Sequence, residues 1–195
     1  MTPAQFKAYL QKKNKKHVIL DFDQTIATLL MSDNWQEWKI RMHKLLQSYD
    51  ASFSPVSETE IMRRTNALID KHGAILSQQM KKINEAYELA HTVGYERNNE
   101  LIQIIKTLDF CTWSIWSSNS ESTLTKAVRE LDIAHHITTI ISRDHVLKIK
   151  PDTEGFHLIN PRKDSSSEFL MIGDSEFDKL AAQNAGIEFL FVQHM

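Results

Sequence analysis

The sequence lacks the features that would place this protein in a secreted or membrane class. Its single cysteine, Cys111, cannot form an internal disulfide, so nothing indicates an oxidising compartment. No apolar run approaches the roughly 20 residues needed to span a bilayer. The segment before residue 17 is polar and lysine-rich, unlike an apolar secretory signal. These absences predict a soluble protein without a transmembrane segment, cytoplasmic by default, although export without a cleaved signal stays open.

The chain also lacks a strong charge of either sign and a glycine-rich phosphate loop. Its formal net charge of −2 gives no general attraction to nucleic acid or to a membrane surface, so we expect no nucleic-acid partner. Without a glycine-rich loop, the common nucleotide-cradling motifs are excluded. Hydrophobic residues make up 42% of the chain, and 195 residues suffice for one core with a modest inserted unit. We favour a monomer.

A buried strand is predicted from about Lys16 to Phe22, and it ends in two carboxylates. Its mainly apolar, branched residues are typical of a central strand in a parallel sheet. Side chains alternate along a strand, so Asp21 and Asp23 project in the same direction from its carboxyl end. Open α/β sheets bind their ligands at that end, and two neighbouring carboxylates repel each other unless a cation or shared proton intervenes. The pair alone does not distinguish a ligand site from an acidic turn.

The rest of the chain divides into a helical stretch and a stretch of alternating strands and helices. Apolar residues at helical intervals predict helices at about 34–48, 57–73, 74–94 and 96–108, the first three forming a small all-helical insertion. Later strands are predicted at 110–116, 137–141, 169–172 and 187–192, with helices at 120–131, 152–160 and 177–184. This alternation specifies a parallel sheet. We therefore predict an α/β fold, with a Rossmann-like parallel sheet of about five strands flanked by helices in residues 1–29 and 106–195, and an all-helical cap in residues 30–105.

Further polar side chains fall at or just beyond the other predicted strand ends. They are Ser118 with Asn119, Lys150, and Asp174 with Asp178. The carboxyl ends of parallel strands line one rim of the sheet, so we expect these residues to converge on Asp21 and Asp23. Clustered carboxylates need a counter-charge, and hard oxygen ligands suit Mg²⁺. A lysine and a hydroxyl facing a carboxylate-bound magnesium make a site for a phosphoryl group.

Four motifs in this order resemble those of the haloacid dehalogenase (HAD) superfamily hydrolases. Asp21-Phe22-Asp23-Gln24-Thr25 is similar to the first motif, Asp-x-Asp-x-Thr, and Ile115-Trp116-Ser117-Ser118-Asn119 to the second, a hydrophobic strand ending in Ser or Thr. Lys150-Pro151 resembles the third motif and Gly173-Asp174-Ser175-Glu176-Phe177-Asp178 the fourth, Gly-Asp-x-x-x-Asp. The agreement runs from about residue 16 to residue 192. The branch it resembles carries a helical cap after the first motif, as in phosphoglycolate phosphatases and beta-phosphoglucomutases.

The resemblance implies a phosphomonoesterase with defined roles for the motif residues. Asp21 is the nucleophile that forms an aspartyl-phosphate. Asp23 protonates the leaving oxygen and then takes a proton from water. Ser118 is preferred to Ser117 because the family residue usually precedes the asparagine directly; with Asn119 and the surrounding backbone it holds the phosphoryl oxygens. Lys150 balances the charge of nucleophile and phosphate.

The resemblance also implies Mg²⁺ as the cofactor. The expected ligands are Asp21, Asp174 and the backbone carbonyl of Asp23, with Asp178 as a direct, outer or water-mediated partner. Equally, Asp178 fits an ordinary carboxylate in the first turn of a helix. Thr25, grouped with the phosphate-binding residues, is expected to fix the loop through its hydroxyl.

Gln24 departs from the family pattern, which most often has glycine there. The motif loop must therefore accommodate a side chain on the side of the leaving group. Trp35 and Trp38 are interpreted as core of the cap rather than as a platform for substrate.

Other functions stay open from the sequence. Dehalogenation is disfavoured because that branch lacks the second aspartate, whereas a sugar-phosphate mutase or a regulatory module that accepts phosphate without turnover remains an alternative. A phosphonate-cleaving relative would need a cap lysine, for which Lys39 and Lys44 are candidates. The substrate is a phosphorylated small metabolite or a phosphoprotein side chain such as phosphotyrosine.

Overall fold

The computed structural model describes residues 1–33, 35–54 and 58–194, without the side chains of 58–60, 62, 63 and 194. The predicted helix starts near residues 34 and 57 lie outside the described residues. The strands are β1 (His17–Leu20), β2 (Ala27–Met31), β3 (Thr92–Arg97), β4 (Thr112–Trp116), β5 (Ile137–Ile141), β6 (Phe169–Gly173) and β7 (Glu188–Phe191). The helices are α1 (Pro3–Lys12), α2 (Gln36–Tyr49), α3 (Glu58–His72), α4 (Ala74–His91), α5 (Asn99–Thr107), α6 (Glu121–Glu130), α7 (Glu154–Ile159) and α8 (Glu176–Asn184).

Five strands form a parallel sheet in the order β5-β4-β1-β6-β7. The first strand of the chain is therefore the central one, with β4 and β6 as its hydrogen-bonded neighbours. Its residues Val18, Ile19 and Leu20 are completely buried, because helices cover both faces of the sheet. The predicted Rossmann-like sheet of about five strands is confirmed.

Alternating side chains of the central strand belong to two different hydrophobic clusters, one on each face of the sheet. Val18 and Leu20 point into a cluster that α1, α5 and α6 close, while Ile19 packs on the opposite face with Trp116 and Phe156. The buried side chains of α5 belong to the first of these clusters, so this helix packs on the sheet. The sheet is thus held from both sides, and its carboxyl edge is free to carry polar residues.

Helices α2, α3 and α4, which we call the insert, have a hydrophobic cluster of their own. It contains Trp38, Met42, Leu46, Met80 and Tyr87 together with neighbouring apolar side chains. Helical spacing of these residues is the pattern that predicted an inserted helical unit. The division into residues 1–29 with 106–195 and residues 30–105 stays a prediction.

The junction between the insert and the sheet differs from the prediction. Strands β2 and β3 pair as an antiparallel ribbon, so the stretch between the two parts is not purely helical. The helix expected to reach residue 94 ends at His91, and the helix expected from residue 96 begins at Asn99. Pairing across more than sixty residues overrides the local helical spacing here, because backbone groups of both segments satisfy each other.

Among the described residues, no helix is both long enough and apolar enough to cross a membrane.

Candidate active site

The carboxyl edge of the sheet gathers most of the residues singled out in the sequence. Asp21 follows β1, Ser118 follows β4, and Asp174 follows β6, while Lys150 comes from the loop after β5. Because β4 and β6 flank β1 in parallel, their ends meet at one rim. A cavity lies between this edge of the sheet and the insert, and Asp23, Asn119 and Asp178 line it together with the residues just named.

A buried lysine joins two of the carboxylates. The Lys150 ammonium donates to Asp21 Oδ1 at 2.6 Å and also contacts Asp178 Oδ1. Burial alone would lower the pKa of Lys150, but the charges of Asp178 and Asp21 raise it. Burial raises the pKa of Asp21 to about 7; Lys150 opposes that rise, and Asp178 adds to it. The ammonium stays charged, and it does not fully compensate the carboxylates around it.

Asp178 is held on both carboxylate oxygens. Its Oδ2 accepts from the Ser175 backbone N–H at 3.1 Å and from the Ser175 hydroxyl, which together cap the start of α8. A Cβ added at Gly173 would lie 2.6 Å from the Asp178 side chain, so glycine is needed there. With Lys150 on Oδ1, Asp178 is 1% exposed. Its observed contacts serve the lysine and the helix cap.

The carboxylates fit a hard divalent cation. Oxygen atoms of Asp21, Asp174 and Asp178 lie within 4.8 Å of one another. The pKa of Asp174 is raised by burial and by the charge of Asp178. Three carboxylates with a single ammonium leave a deficit of positive charge, and an all-oxygen donor set is the one that Mg²⁺ prefers. Sequence and structure thus place the candidate ligands together.

A tight turn follows Asp21 and orients Asp23. The carboxylate of Asp23 accepts from the Leu29 backbone N–H at 2.8 Å, so the ribbon strand β2 holds this side chain. Burial raises the pKa of Asp23 to about 6. Gln24 has a φ of 57°, in the left-handed region where a side chain is disfavoured. This conformation explains why glycine suits the position.

The loop after β4 offers a hydroxyl to the cavity. Ser117 donates from its hydroxyl to the Asn119 side chain at 2.8 Å, and both residues are buried. The Ser118 hydroxyl makes no hydrogen bond to any described residue, and Ser118 also lines the cavity. Of the two serines, Ser118 is therefore the one whose hydroxyl is available to a ligand.

Thr25 does not join the cavity lining. Its hydroxyl is buried and has no hydrogen-bond partner among the described residues. The loop is held there through the backbone, because the Asn98 side-chain amide donates to the Thr25 carbonyl at 3.0 Å.

A cavity of about 410 Å³ separates the sheet edge from the insert. Its floor, as we call the core side chains that line it, carries the charged residues above. Its roof is the set of lining side chains from residue 35 to residue 84. Most roof side chains are apolar, namely Trp35, Trp38, Met42, Ile61, Ile69 and Met80. Trp38 is 7% exposed and Trp35 is half-buried, so both tryptophans belong to the packing of the insert and also face the cavity.

Side chains of the insert bond directly to the backbone of the loop that carries Lys150. Asn66 donates to the Ile149 carbonyl at 2.7 Å and accepts from the Ile149 N–H at 3.1 Å. Ser77 donates to the Leu147 carbonyl at 3.0 Å. The insert is therefore fixed over the floor by specific hydrogen bonds beside Lys150.

Lys81 is the lysine of the insert that reaches the cavity. Its ammonium donates to the Val146 carbonyl at 2.6 Å and to the Asp144 carbonyl, and burial lowers its pKa. Lys39 and Lys44, the candidates from the sequence, do not line the cavity. Lys81 was missed because a lysine on a helix is usually solvated, and nothing local marks its carbonyl partners.

Two further residues of the site were missed by sequence reasoning. Glu88 is 1% exposed and Arg143 is 6% exposed, and their side chains form an ion pair behind the loop after β4. A signal for Glu88 existed, since it lies next to Tyr87 on the buried face of α4, where a charge needs a partner. Arg143 follows a strand by two residues and carries no comparable signal.

Comparison with known proteins places this architecture in one family. The profile of the haloacid dehalogenase-like hydrolases matches residues 18–192. No curated protein matches the chain by sequence.

Several solved structures share the fold. A protein from Lactobacillus plantarum, provisionally named a phosphoglycolate phosphatase, is 18% identical, with coverage of 93% of this chain and 91% of that one and a TM-score of 0.56. A provisionally named HAD-hydrolase from Bacillus subtilis, solved bound to magnesium, is 19% identical, with coverage of 90% and 87% and a TM-score of 0.53. A provisionally named beta-phosphoglucomutase from Thermotoga maritima is 18% identical, with coverage of 89% and 83% and a TM-score of 0.51.

Proposed function

The chain belongs to the haloacid dehalogenase-like hydrolases, and from that premise we propose that it is a magnesium-dependent phosphomonoesterase with Asp21 as nucleophile. The observation that carries the proposal is the buried contact of Lys150 with Asp21 and Asp178 at the floor of the cavity. A lysine beside a carboxylate nucleophile neutralises charge that would otherwise repel a phosphoryl group.

In the proposed reaction, two aspartates divide the work. An oxygen of Asp21 forms a bond to phosphorus while the bond from phosphorus to the leaving oxygen breaks, which gives an aspartyl-phosphate. Asp23 donates its proton to that leaving oxygen. Asp23 then takes a proton from water, whose oxygen attacks phosphorus and releases phosphate and free Asp21. The raised pKa of Asp23, about 6, supports a residue that is protonated in the first step and deprotonated in the second.

Other floor residues bind and orient the phosphoryl group. We assign its oxygens to Ser118, whose hydroxyl is uncommitted, to the neighbouring backbone and Asn119, and to the ammonium of Lys150. Asp21, Asp174 and the carbonyl of Asp23 would hold Mg²⁺, which supplies positive charge between nucleophile and phosphate. We give Asp178 the role of fixing Lys150 and lying outside the metal's direct ligands, because both of its carboxylate oxygens are already engaged.

The substrate we propose is a small organic phosphate with an apolar body. A cavity of about 410 Å³ suits a phosphoryl group with one ring or a short chain. Apolar roof residues such as Trp35 and Met80 favour burial of carbon and of aromatic faces. A phosphate on a protein side chain is disfavoured, because the insert is held over the floor by hydrogen bonds to the loop that carries Lys150.

Hydrolysis of 4-nitrophenyl phosphate tests the proposal. We expect release of inorganic phosphate that requires Mg²⁺, stops in excess chelator, and falls at least ~10³-fold in Asp21→Asn, since the nucleophile is removed. Turnover that persists in Asp21→Asn or without metal would contradict the mechanism. Conversion of a sugar phosphate to its positional isomer, without release of inorganic phosphate, would favour the mutase alternative. Capture of beryllofluoride with no turnover would favour the regulatory module.

A further inference from the structure

A buried carboxylate that the proposed reaction does not use lies behind the phosphate-binding loop, residues 117–120. It belongs to Glu88, which is on helix α4 of the insert and is 1% exposed. Burying a carboxylate is costly unless it is paired and hydrogen-bonded, so its partners indicate what it holds in place.

Both oxygens of Glu88 bind residues of the core. Oε2 accepts from the Ser120 backbone N–H at 2.9 Å and from the Ser120 hydroxyl at 2.7 Å. Oε1 contacts the Arg143 guanidinium. Ser120 is the last residue of the loop and also caps the start of α6, which follows immediately. A single side chain of the insert thus fixes the end of the loop and reaches a second core residue.

Arg143, the partner of Glu88, forms hydrogen bonds with the loop at two further residues. Its Nε donates to the Ser118 carbonyl, and its backbone N–H donates to the Asn119 carbonyl at 3.1 Å. Glu88 therefore bonds to the loop directly at Ser120 and indirectly at Ser118. These bonds use the carbonyls of Ser118 and Asn119 and leave the Ser118 hydroxyl to a ligand, while Arg143 itself also lines the cavity.

We propose that Glu88 is a positioning residue of the insert that shapes the phosphate-binding loop of the core. The inference rests on the proposed function, since it assigns the loop to the phosphoryl group. Glu88 does not touch the reacting atoms; it acts through Ser120 and Arg143.

Inorganic phosphate is the probe for this proposal, because its binding reports the loop without turnover. Calorimetry with Mg²⁺ present should show wild-type binding and a dissociation constant about tenfold higher in Glu88→Gln, since the charged hydrogen bonds are weakened. The KM for 4-nitrophenyl phosphate should rise by a similar factor, while kcat falls less than about threefold.

Glu85→Gln is the matched control. Glu85 lies on the same helix and accepts from the Ser122 hydroxyl of α6 at 3.2 Å, but it makes no direct hydrogen bond to a described residue of the loop. Its phosphate affinity and KM should equal those of the wild type. Equal affinities in Glu85→Gln and Glu88→Gln would overturn the inference, even if the enzyme hydrolyses phosphate esters. Absence of phosphate binding in the wild type would overturn it as well.

A double variant distinguishes the loss of loop positioning from general unfolding of the protein. Glu88→Gln leaves the Arg143 charge buried without its partner, whereas Glu88→Gln/Arg143→Met removes both charges. If circular dichroism shows that the single variant does not fold, the double variant replaces it. The expected result is a folded protein with at least the same loss of phosphate affinity, because Arg143 also lines the cavity. Wild-type affinity in the folded double variant would refute the positioning role.

Discussion

The floor and the roof of the cavity are built on opposite physical principles. On the floor, ionised side chains are buried against one another, as Lys150 is between Asp21 and Asp178. Across the roof, apolar side chains such as Met42 and Met80 face the same space through packing contacts. Charge on the floor must be arranged to within hydrogen-bond distances, whereas apolar packing tolerates substitution of similar volume. Chemistry therefore constrains residue identity on the floor, and shape constrains it at the apolar positions of the roof.

The largest expected effect comes from breaking the ionic arrangement of the floor. In Lys150→Met, two buried carboxylates lose their counter-charge, so we expect the free energy of unfolding to fall by about 3–5 kcal/mol. Turnover of 4-nitrophenyl phosphate should fall by ~10²–10³-fold, because the positive charge at the transferring phosphoryl group is lost. Urea denaturation and steady-state kinetics measure the two effects.

The neighbouring lysine provides the control for that variant. Lys148 pairs with Asp70 at 2.5 Å near the surface and does not line the cavity. Because exposed ion pairs contribute about 0–1 kcal/mol, Lys148→Met should change stability little and turnover hardly at all. Equal losses in the two variants would show that the floor has no special electrostatic role.

A smaller effect is expected from the roof, and it should appear in binding rather than in chemistry. Trp35→Ala removes an aromatic face from the cavity, so the KM for 4-nitrophenyl phosphate should rise about 5–10-fold, corresponding to about 1–1.4 kcal/mol. The kcat and the inhibition by inorganic phosphate should stay within about twofold, because the floor is intact. Steady-state kinetics with phosphate as inhibitor separates these parameters.

Ile40→Ala serves as the comparison for the roof variant. Ile40 is on α2, the helix that Trp35 directly precedes; it is 69% exposed and does not line the cavity. Its KM should equal that of the wild type. If Trp35→Ala lowered kcat and left KM unchanged, the roof would take part in catalysis and the contrast with the floor would fail.

The contrast between floor and roof also explains which parts of the structure could be predicted from the sequence. The floor was predictable because β1 is an apolar run that ends in Asp21 and because later strands end in polar residues, so topology alone brings them together. The parallel sheet followed from the alternation of strand-like and helical periods, and it is confirmed.

The connections between insert and core could not be predicted. Asn66 and Glu88 bond to residues more than thirty positions away, and no local pattern identifies such partners. Ribbon strands β2 and β3 were missed for a similar reason, since short segments with weak alternation acquire their strand character only when paired. Tertiary contacts therefore decide the regions where local periodicity is ambiguous.

The smallest expected effect concerns Gln24, a floor residue that contributes backbone shape rather than charge. Its φ of 57° is strained for any residue with a Cβ, so Gln24→Gly should relieve about 1–2 kcal/mol of strain. Part of that gain is offset, because glycine makes the unfolded chain more flexible by about 0.4–1 kcal/mol. We expect a net stabilisation of about 0.5–1 kcal/mol in urea denaturation.

Gln24→Ala separates backbone strain from the loss of side-chain contacts. Alanine removes the same side-chain atoms but keeps the Cβ, so the left-handed strain remains and stability should not rise. A stabilisation shared by both variants would mean that the glutamine side chain itself is unfavourable in the cavity. If only Gln24→Gly raises stability and the two variants have equal KM values, the effect of Gln24 comes from the left-handed backbone that the turn between Asp21 and the ribbon requires. Selection of the leaving group is then assigned to the roof.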